Sequence, residues 1–129
     1  MNSATFDTGM LIALDRNDRE AWVVLRLLVD RGAVPTVPTA VTAQAWRDGR
    51  RQSRLAQALG KCRLEALTEE YARRAGELRA RAGTSDIVDA VVVESAGRRG
   101  DDVYTGDIAD LEHLAEHIGN AVSIVPIGR

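Results

Sequence analysis

The segment Thr84–Asp110, TSDIVDAVVVESAGRRGDDVYTGDIAD, is rich in acidic residues, and three of them, Asp86, Asp89 and Asp107, adjoin apolar runs. Asp86 and Asp89 are three positions apart and interrupt a run of β-branched residues. Asp107 directly follows a short apolar segment that ends at Gly106. An ionised carboxylate beside a buried segment is costly unless it is paired or bound to a metal. These three acids are therefore candidates for a functional site.

A fourth candidate, Asp7, follows Ala4–Phe6, which is predicted to be a short buried strand. Thr8 and Gly9 are predicted to form a turn, after which a helix begins at Met10. Asp7 has two interpretations at this point. It either caps that helix by accepting backbone N–H bonds, or it belongs to the same site as the other acids.

The chain of 129 residues predicts one domain over residues 1–129, because this length is enough for a single hydrophobic core. Its hydrophobic content of 45% and charged content of 28% are those of a globular protein. No apolar run approaches the roughly 20 residues of a membrane span, and the N-terminus lacks the pattern of a signal peptide. The expected location is the cytoplasm, without membrane contact.

The net charge of −2 does not by itself indicate a nucleic-acid-binding protein. Nearly all of the cations are arginines, which suit bidentate contacts to phosphate. The densest basic cluster is formed by Arg47, Arg50, Arg51 and Arg54. Such a cluster is either a solvated helix face or a set of phosphate contacts beside an acidic site.

Cys62 is the only cysteine, which excludes an internal disulfide and fits a reducing compartment. The nearby Leu59 and Leu64 indicate that its thiol is buried and unreactive.

Helical periodicity and capping residues predict a series of helices after the one at Met10. Asp18 or Asn17 is expected to cap the first of them, and Thr84 or Ser85 the fifth. They span Asp18–Arg31, Thr39–Trp46, Ser53–Leu59, Thr68–Arg81, Asp86–Ala96 and Ala109–Ile118.

Strands are predicted to alternate with these helices, at Ala4–Phe6, Val34–Val37, Arg63–Leu67, Val103–Thr105 and Ala121–Val125. This alternation indicates an α/β domain with a central, mostly parallel sheet of four to five strands.

Functional sites in open parallel sheets form outside the carboxyl ends of the strands. Asp7 and Asp107 both occupy the first positions after predicted strands, and the helix that Asp86 and Asp89 begin is expected to lie at the same edge. Crowded carboxylates repel one another, and a hard divalent cation such as Mg²⁺ relieves that repulsion. Such a cation activates water and stabilises charge on a reacting phosphate.

Four short segments, FDTG, TAVTAQAWR, TSDIVDAVVVESA and VYTGD, occur in an order that resembles the PIN domain, and within it the VapC toxins of type II toxin–antitoxin systems. The resemblance extends over essentially the whole chain. It implies a three-layer α/β/α sandwich and an endoribonuclease that depends on Mg²⁺ or Mn²⁺. It also implies a VapB-type antitoxin as partner, a homodimer, and contact with operator DNA only through the antitoxin.

The resemblance assigns roles to individual residues. Asp7 matches the first acid of the family, Asp89 the third and Asp107 the fourth, while Asp86 either assists Asp89 as a metal ligand or replaces it. Thr105 matches the hydroxyl residue that often precedes the last acid. The implied reaction is attack of a metal-activated water on an RNA phosphodiester, with Arg47, Arg50 or Arg51 holding the phosphate backbone.

Gln44 departs from the family pattern, because it stands where the second acid, a glutamate, is usual. Glutamine keeps the length and an acceptor oxygen but loses the charge, which Asp86 or Asp110 would then supply. The alternative function is therefore a catalytically weak or inactive PIN module that acts through antitoxin binding and operon autoregulation.

Other enzyme classes fit the sequence less well. FDTGM weakly resembles the start of aspartyl phosphatases, but Gly9 stands where their second aspartate is needed. A phospho-receiver domain needs adjacent acids after the first strand and a late lysine, and the chain has neither. His113 and His117 have the spacing of a helical metal site, but the sequence offers no third ligand near them, and a solvated helix face is the alternative.

Overall fold

The computed structural model describes residues 3–119 and 122–127. Within this part of the chain, seven α-helices surround one five-stranded sheet in which every strand pairing is parallel. The predicted α/β class is confirmed, with a sheet at the upper end of the predicted size. None of the described helices is long and apolar enough to cross a bilayer.

The helices are α1 (Thr8–Asp15), α2 (Arg19–Asp30), α3 (Thr39–Ala45), α4 (Ser53–Leu59), α5 (Glu69–Ala82), α6 (Ile87–Arg99) and α7 (Ile108–Ala115). The strands are β1 (Ala4–Phe6), β2 (Thr36–Pro38), β3 (Arg63–Glu65), β4 (Asp102–Thr105) and β5 (Ser123–Pro126).

The order of the strands across the sheet is β3-β2-β1-β4-β5. The chain thus runs from β1 toward one edge, returns to β4 on the other side of β1, and continues to the second edge. Because crossovers between parallel strands are right-handed, this reversal puts α1–α4 on one face and α5–α7 on the other. The contacts agree for most helices, since α1 packs on α2 and α4, whereas α6 packs on α5 and α7; α3 contacts both α1 and α6. The result is the expected three-layer sandwich.

The hydrophobic core fills both sides of the central strand β1, whose three residues are all buried. Phe6 and the inner residues of α1 are 0% exposed, and full burial of each large apolar side chain stabilises the fold by about 1.5–3 kcal/mol. The other main core residues lie on α2, β2, α6 and α7: Leu25, Leu28, Val37, Val92, Val93, Ala96, Leu111 and Leu114.

Several helix caps agree with the sequence, and one does not. Asp18 and Thr68 accept the expected backbone N–H bonds at the starts of α2 and α5. The cap of α6 is Asp86, not Thr84 or Ser85 as predicted, because the backbone of Asp86 is still extended and its Oδ1 accepts the N–H of Asp89 at 3.0 Å. The Thr84 hydroxyl instead accepts the N–H of Asp86.

The prediction of a turn at Thr8 and Gly9 is also wrong, because both residues already belong to the first turn of α1. Asp7, directly before them, is the cap of this helix, and its Oδ1 accepts the N–H of Met10 at 2.9 Å. A capping aspartate removes the need for a separate turn between β1 and α1.

Several other boundaries differ from the prediction. β2 begins at Thr36 rather than Val34, which is 46% exposed, and β3 ends at Glu65 rather than Leu67. α3 ends at Ala45 and α7 at Ala115, both earlier than predicted, whereas α6 continues beyond Ala96 to Arg99. β5 extends to Pro126, which pairs with Thr105; the predicted start of this strand at Ala121 lies outside the described residues.

A network of ion pairs and hydrogen bonds fixes the end of α6 against β1 and β3. Arg99 contacts four side chains, which are those of Asp101, Glu65, Thr5 and Ser95. The same network includes Arg98 and Arg74, which pair with Glu94. The start of α6, where Asp86 and Asp89 lie, is thereby held on a rigid element.

Cys62 is half-buried and its Sγ donates to the carbonyl oxygen of Ala58 at 3.2 Å. Burial raises the pKa of the Cys62 thiol to about 12. The thiolate is the reactive form, so this environment supports the prediction of an unreactive thiol.

Candidate active site

An open cleft of about 430 Å³ lies where the strand order reverses, outside the carboxyl ends of β1 and β4. This switch point is where open α/β sheets bind their ligands. The four predicted metal ligands line the cleft together with Gln44, whereas Asp110 does not. The lining residues are Asp7, Thr8, Gly9, Ile12, Gln44, Asp86, Asp89, Gly106 and Asp107.

Asp7 is the most buried of the acids, at 4% exposure. Its Oδ1 accepts the N–H of Met10 and its Oδ2 accepts the hydroxyl of Thr105 at 2.5 Å. Burial raises the pKa of Asp7, the hydrogen bonds from Thr105 and Met10 partly offset that rise, and the charge of Asp107 adds to it. The two interpretations of Asp7 are therefore compatible, because the residue caps α1 and also lines the cleft.

Thr105 lies behind the lining of the cleft, where its hydroxyl connects the residues that follow β1 and β4, Asp7 and Asp107, through hydrogen bonds. Its hydroxyl donates to Asp7 and accepts the backbone N–H of Asp107 at 2.8 Å. The side chain is 0% exposed and both of these contacts satisfy its polar group. Thr105 therefore acts as a positioning residue and does not itself line the cleft.

Gly9 lets the start of α1 approach the loop after β4. A Cβ atom at this position would lie 3.1 Å from the backbone nitrogen of Gly106 and 3.4 Å from Oδ1 of Asp7. A larger residue would push the two strand ends apart, and with them Asp7 and Asp107. The glycine of the D-T-G sequence thus has a steric role that the sequence alone did not reveal.

The start of α6 supplies the other two acids. Burial raises the pKa of Asp89 to about 7, and the charges of Asp86, Asp7 and Asp107 contribute further. The pKa of Asp107 is also raised, by loss of solvation and by its neighbours Asp110 and Asp86. The carboxylates that follow β1 and β4 and those at the start of α6 therefore lie close enough to repel one another.

This repulsion predicts that Asp89→Asn stabilises the metal-free protein at pH 8, raising its melting temperature by roughly 3–6 °C. A raised pKa means that the folded state disfavours the charged carboxylate, so the penalty is full above about pH 7 and absent below the ordinary value of 3.8. The gain should therefore shrink as pH falls from 8 to 4 in thermal unfolding monitored by circular dichroism. A gain that is independent of pH would contradict this origin, and Asp30→Asn, on the exposed face of α2, is the matched control.

Gln44 lies on α3 at the rim of the cleft, and its side-chain Oε1 accepts the hydroxyl of Thr8 at 2.5 Å. Thr8 therefore contacts the amide oxygen of Gln44 and not its NH₂ group. Thr8 was missed as a cleft residue because the sequence placed it in a turn. Its position directly after Asp7 in D-T-G was the available signal.

The remaining candidates lie outside the cleft. Arg47, Arg50 and Arg51 lie in the loop after α3 and do not line it. His113 contacts the carbonyl oxygen of Ala82 at the end of α5, and His117 contacts that of His113. These contacts give the histidines a role in helix packing.

The donor set of the cleft suits a hard cation, because its charged groups are all carboxylates. Among residues 3–119 and 122–127, however, no three or more acidic, histidine or cysteine side chains are already gathered into a metal-binding arrangement. Repulsion between unneutralised carboxylates favours such a spread. A metal site formed by Asp7, Asp86, Asp89 and Asp107 therefore stays a prediction.

No protein-family model matches the sequence, and no curated protein does. Solved structures do match. VapBC2 from Rickettsia felis, bound to a promoter DNA fragment, superposes with a TM-score of 0.73 at 14% identity, over 95% of this chain and 97% of that one. The fold is that of a PIN domain.

Two further structures share this PIN fold. DNA-bound VapBC from Salmonella typhimurium gives a TM-score of 0.70 at 18% identity and covers 98% of both chains. VapC20 from Mycobacterium tuberculosis, described as a sarcin–ricin loop cleaving toxin, gives 0.63 at 19% identity over 83% of this chain and 92% of that one. At these identities the comparison establishes the fold alone.

Proposed function

We propose that this chain is a VapC-type toxin that cleaves RNA as a metal-dependent endoribonuclease. The observation that supports the proposal is the convergence of Asp7, Asp86, Asp89 and Asp107 on one cleft, at the switch point of a PIN fold. The four residues come from three separate parts of the chain. Clustering like charges lowers the stability of the folded state, and the fold does not need such a cluster in order to pack. Metal binding at a nuclease site would explain why the cluster is present.

The carboxylates that would hold the cation are those of Asp7, Asp89 and Asp107, with Asp86 in support. When bound, Mg²⁺ or Mn²⁺ supplies a more acidic water and neutralises charge on the phosphodiester. The donors fit this ion because carboxylate oxygens are the ligands that hard cations prefer.

The chain's own residues prepare the site for that role. Met10 and Thr105 fix both oxygens of Asp7, and Thr105 also holds the backbone at Asp107. Burial and the neighbouring acids raise the pKa of Asp89 to about 7, and a bound cation would favour its charged form. The NH₂ group of Gln44 is a neutral donor at the rim, and a donor there suits a phosphate oxygen of the substrate.

The proposed partner is a VapB-type antitoxin. The similar structures from Rickettsia felis and Salmonella typhimurium are VapBC complexes bound to DNA. By analogy, operator DNA would be contacted through the antitoxin. A homodimer and a cytoplasmic location stay predictions.

RNA cleavage by the purified chain tests the proposal directly. We expect labelled RNA to be cut in Mg²⁺ or Mn²⁺, to remain intact in EDTA, and to be protected by the co-purified antitoxin. Sequencing of the cleaved ends would then identify the substrate. An intact RNA pool in both metals, with a folded protein, would contradict the proposal.

The second candidate function is a PIN module with little or no catalysis that acts through antitoxin binding. Gln44 is the observation in its favour, because it removes one negative charge from the cleft. The two functions differ in whether the wild-type cleft binds a divalent cation.

Gln44→Glu is expected to tighten Mn²⁺ binding by about tenfold, because a fifth carboxylate would add about 1.4 kcal/mol of attraction. The same change should lower the melting temperature without metal, since it increases repulsion in the cleft. Isothermal titration calorimetry with Mn²⁺ measures the first effect and thermal unfolding in EDTA the second. Gln44→Ala is the matched control and should do neither. If Gln44→Glu alone created Mn²⁺ binding that the wild type lacks, the second candidate would be favoured.

A further inference from the structure

Trp46 lies at the end of α3 with 39% of its surface exposed, two residues after the cleft residue Gln44. Two consecutive Cα–Cα steps put the two residues within roughly 7 Å of each other along the backbone. The Trp46 ring does not itself line the cleft, but its backbone adjoins that of a cleft residue. We propose that Trp46 stacks on an unpaired base of the RNA strand next to the scissile phosphate, an inference that rests on the function proposed above.

The indole ring is held in position by the segment that we call the Trp46 loop, Trp46–Gln52. A Cβ atom on Gly49 would lie 3.1 Å from Cζ2 of the Trp46 ring. Glycine at this position therefore lets the backbone support one side of the ring, and its exposed surface is available for contact. A supported aromatic ring binds a base with little loss of conformational entropy.

Gln52 fixes the shape of the Trp46 loop from inside. Its side chain is 2% exposed, its Oε1 accepts the N–H groups of Arg47 and Asp48, and its Nε2 donates to the carbonyl oxygen of Ala45 and to Asp15. A buried amide with every polar atom engaged makes a loop rigid. The loop is therefore preformed before substrate binds.

The charge of the surface around Trp46 matches a polyanion. Arg47 and Arg51 have 67% and 88% of their side chains exposed, and Arg50 and Arg54 are exposed as well. Two acids near them, Asp15 and Asp48, lie 3.6 and 3.8 Å from the guanidinium groups of Arg47 and Arg51, which is long for an ion pair. A basic surface with one aromatic ring, next to an acidic cleft, places the phosphates of a strand beside the reactive centre.

Single-stranded RNA fits this arrangement better than duplex RNA or a protein segment. Bases in a duplex are already stacked, whereas unpaired bases stack on aromatic side chains with about 1–3 kcal/mol each. The other exposed large apolar residues lie outside the Trp46 loop, and they are Val23 and Leu27 on α2, Leu64 on β3, Ile87 at the start of α6, and Val34 and Leu67. The loop thus presents one ring among charges, which suits a nucleotide more than an apolar peptide.

The binding experiment uses the full chain in an Asp7→Asn background, so that RNA is not consumed, with a short fluorescein-labelled, unstructured oligoribonucleotide in Ca²⁺. Trp46→Ala is expected to weaken binding by about 5- to 100-fold, and Trp46→Phe to keep it within about threefold of the Trp46 protein. Binding of a duplex of the same length should not change. Quenching of tryptophan fluorescence by RNA should disappear in Trp46→Phe, although Trp22 remains.

The charge contribution is measured separately. Arg50→Ala combined with Arg51→Ala should reduce the slope of log affinity against log salt by about 1–1.5. The matched control is Arg19→Ala combined with Arg26→Ala on α2, which removes two exposed arginines away from the cleft and should leave binding within about twofold.

Cleavage kinetics distinguish this inference from the proposed function. In the Asp7 protein, Trp46→Ala should raise KM while kcat stays within about threefold, because the ring binds the strand without touching the reacting atoms. If the wild type cleaves RNA and Trp46→Ala leaves affinity and KM unchanged, the stacking role is wrong and the function stands. If Trp46→Ala weakens only antitoxin binding, the surface is a protein contact and the inference is overturned. If the wild type cleaves no RNA, both fail.

Discussion

Replacing Asp7 by asparagine is expected to abolish RNA cleavage, with a loss of roughly a hundredfold to a thousandfold in kcat. Asp7 is the acid that the fold positions most firmly, since it is 4% exposed and accepts hydrogen bonds from Met10 and Thr105. Asparagine keeps the shape and one acceptor oxygen but removes the charge. The cleft then has one fewer anionic oxygen to offer a cation.

The fold should survive this substitution, which makes the loss of activity interpretable. Burial disfavours the charged form of Asp7 and raises its pKa, so a neutral side chain relieves that cost. Asparagine also loses one of the two acceptors that Met10 and Thr105 use, and this loss opposes the gain. We expect the melting temperature to change by only a few degrees, roughly 5 °C or less, while the stabilisation by Mn²⁺ disappears. Asp30→Asn is again the matched control, because it removes an exposed acid at the end of α2 that does not line the cleft. Cleavage by Asp7→Asn within about threefold of wild type would contradict the assignment.

Arg99→Ala is expected to lower the free energy of unfolding by about 3–5 kcal/mol, the cost of breaking a buried ion pair on one side. Arg99 donates to Asp101 at 2.9 Å and to Glu65 at 3.0 Å. Asp101 is 0% exposed, and within the described residues its Oδ1 has no hydrogen-bond partner. Without Arg99, the carboxylate would be left with the hydroxyl of Thr5 alone.

Urea unfolding at pH 7 measures this effect, and Arg73→Ala is the matched control. Arg73 pairs with Glu69 on α5, but both side chains are 77% exposed, and such a pair contributes about 0–1 kcal/mol. Adding Asp101→Asn to Arg99→Ala should restore part of the lost stability, because it removes the unpaired charge. A loss of less than about 1 kcal/mol in Arg99→Ala would show that Asp101 does not depend on this guanidinium.

The same network makes the free energy of unfolding depend on pH in the acidic range, through Glu65. Burial opposes ionisation of Glu65, but the Ser95 hydroxyl and the charges of Arg99 and Arg98 outweigh it, so the pKa of Glu65 lies below its ordinary value. A lowered pKa stabilises the folded state above the ordinary value of 4.5, and this contribution is lost as pH falls through the lowered value.

The sequence was sufficient to predict the cleft because a simple rule applies to it. Asp7 and Asp107 each follow a strand, and the carboxyl ends of parallel strands meet at one edge. The burial of β1 and β4 was visible in their apolar residues, so the positions of these acids followed. The position of Asp89 beside them was less determined, because nothing local to α6 specifies which strand edge it approaches, and its assignment as a metal ligand came from the resemblance to PIN domains.

The contacts that hold the site in shape were not predictable in the same way. Arg99 reaches Thr5, which is 94 positions away along the chain, and Glu65, which is 34 positions away. Which of many arginines pairs with which acid is decided by the tertiary fold, and a sequence without its structure contains no distance between them. The cap at Asp86 was missed for a different reason, because Thr84 and Ser85 are equally good capping residues.

Anomalous diffraction from crystals grown with Mn²⁺ locates a bound ion without reference to activity. We expect a strong anomalous peak in the cleft, about 2.0–2.3 Å from carboxylate oxygens of Asp7, Asp89 and Asp107, that is lost in Asp7→Asn. A cleft with no peak at saturating Mn²⁺, or a peak that Asp7→Asn leaves unchanged, would contradict the proposed metal site.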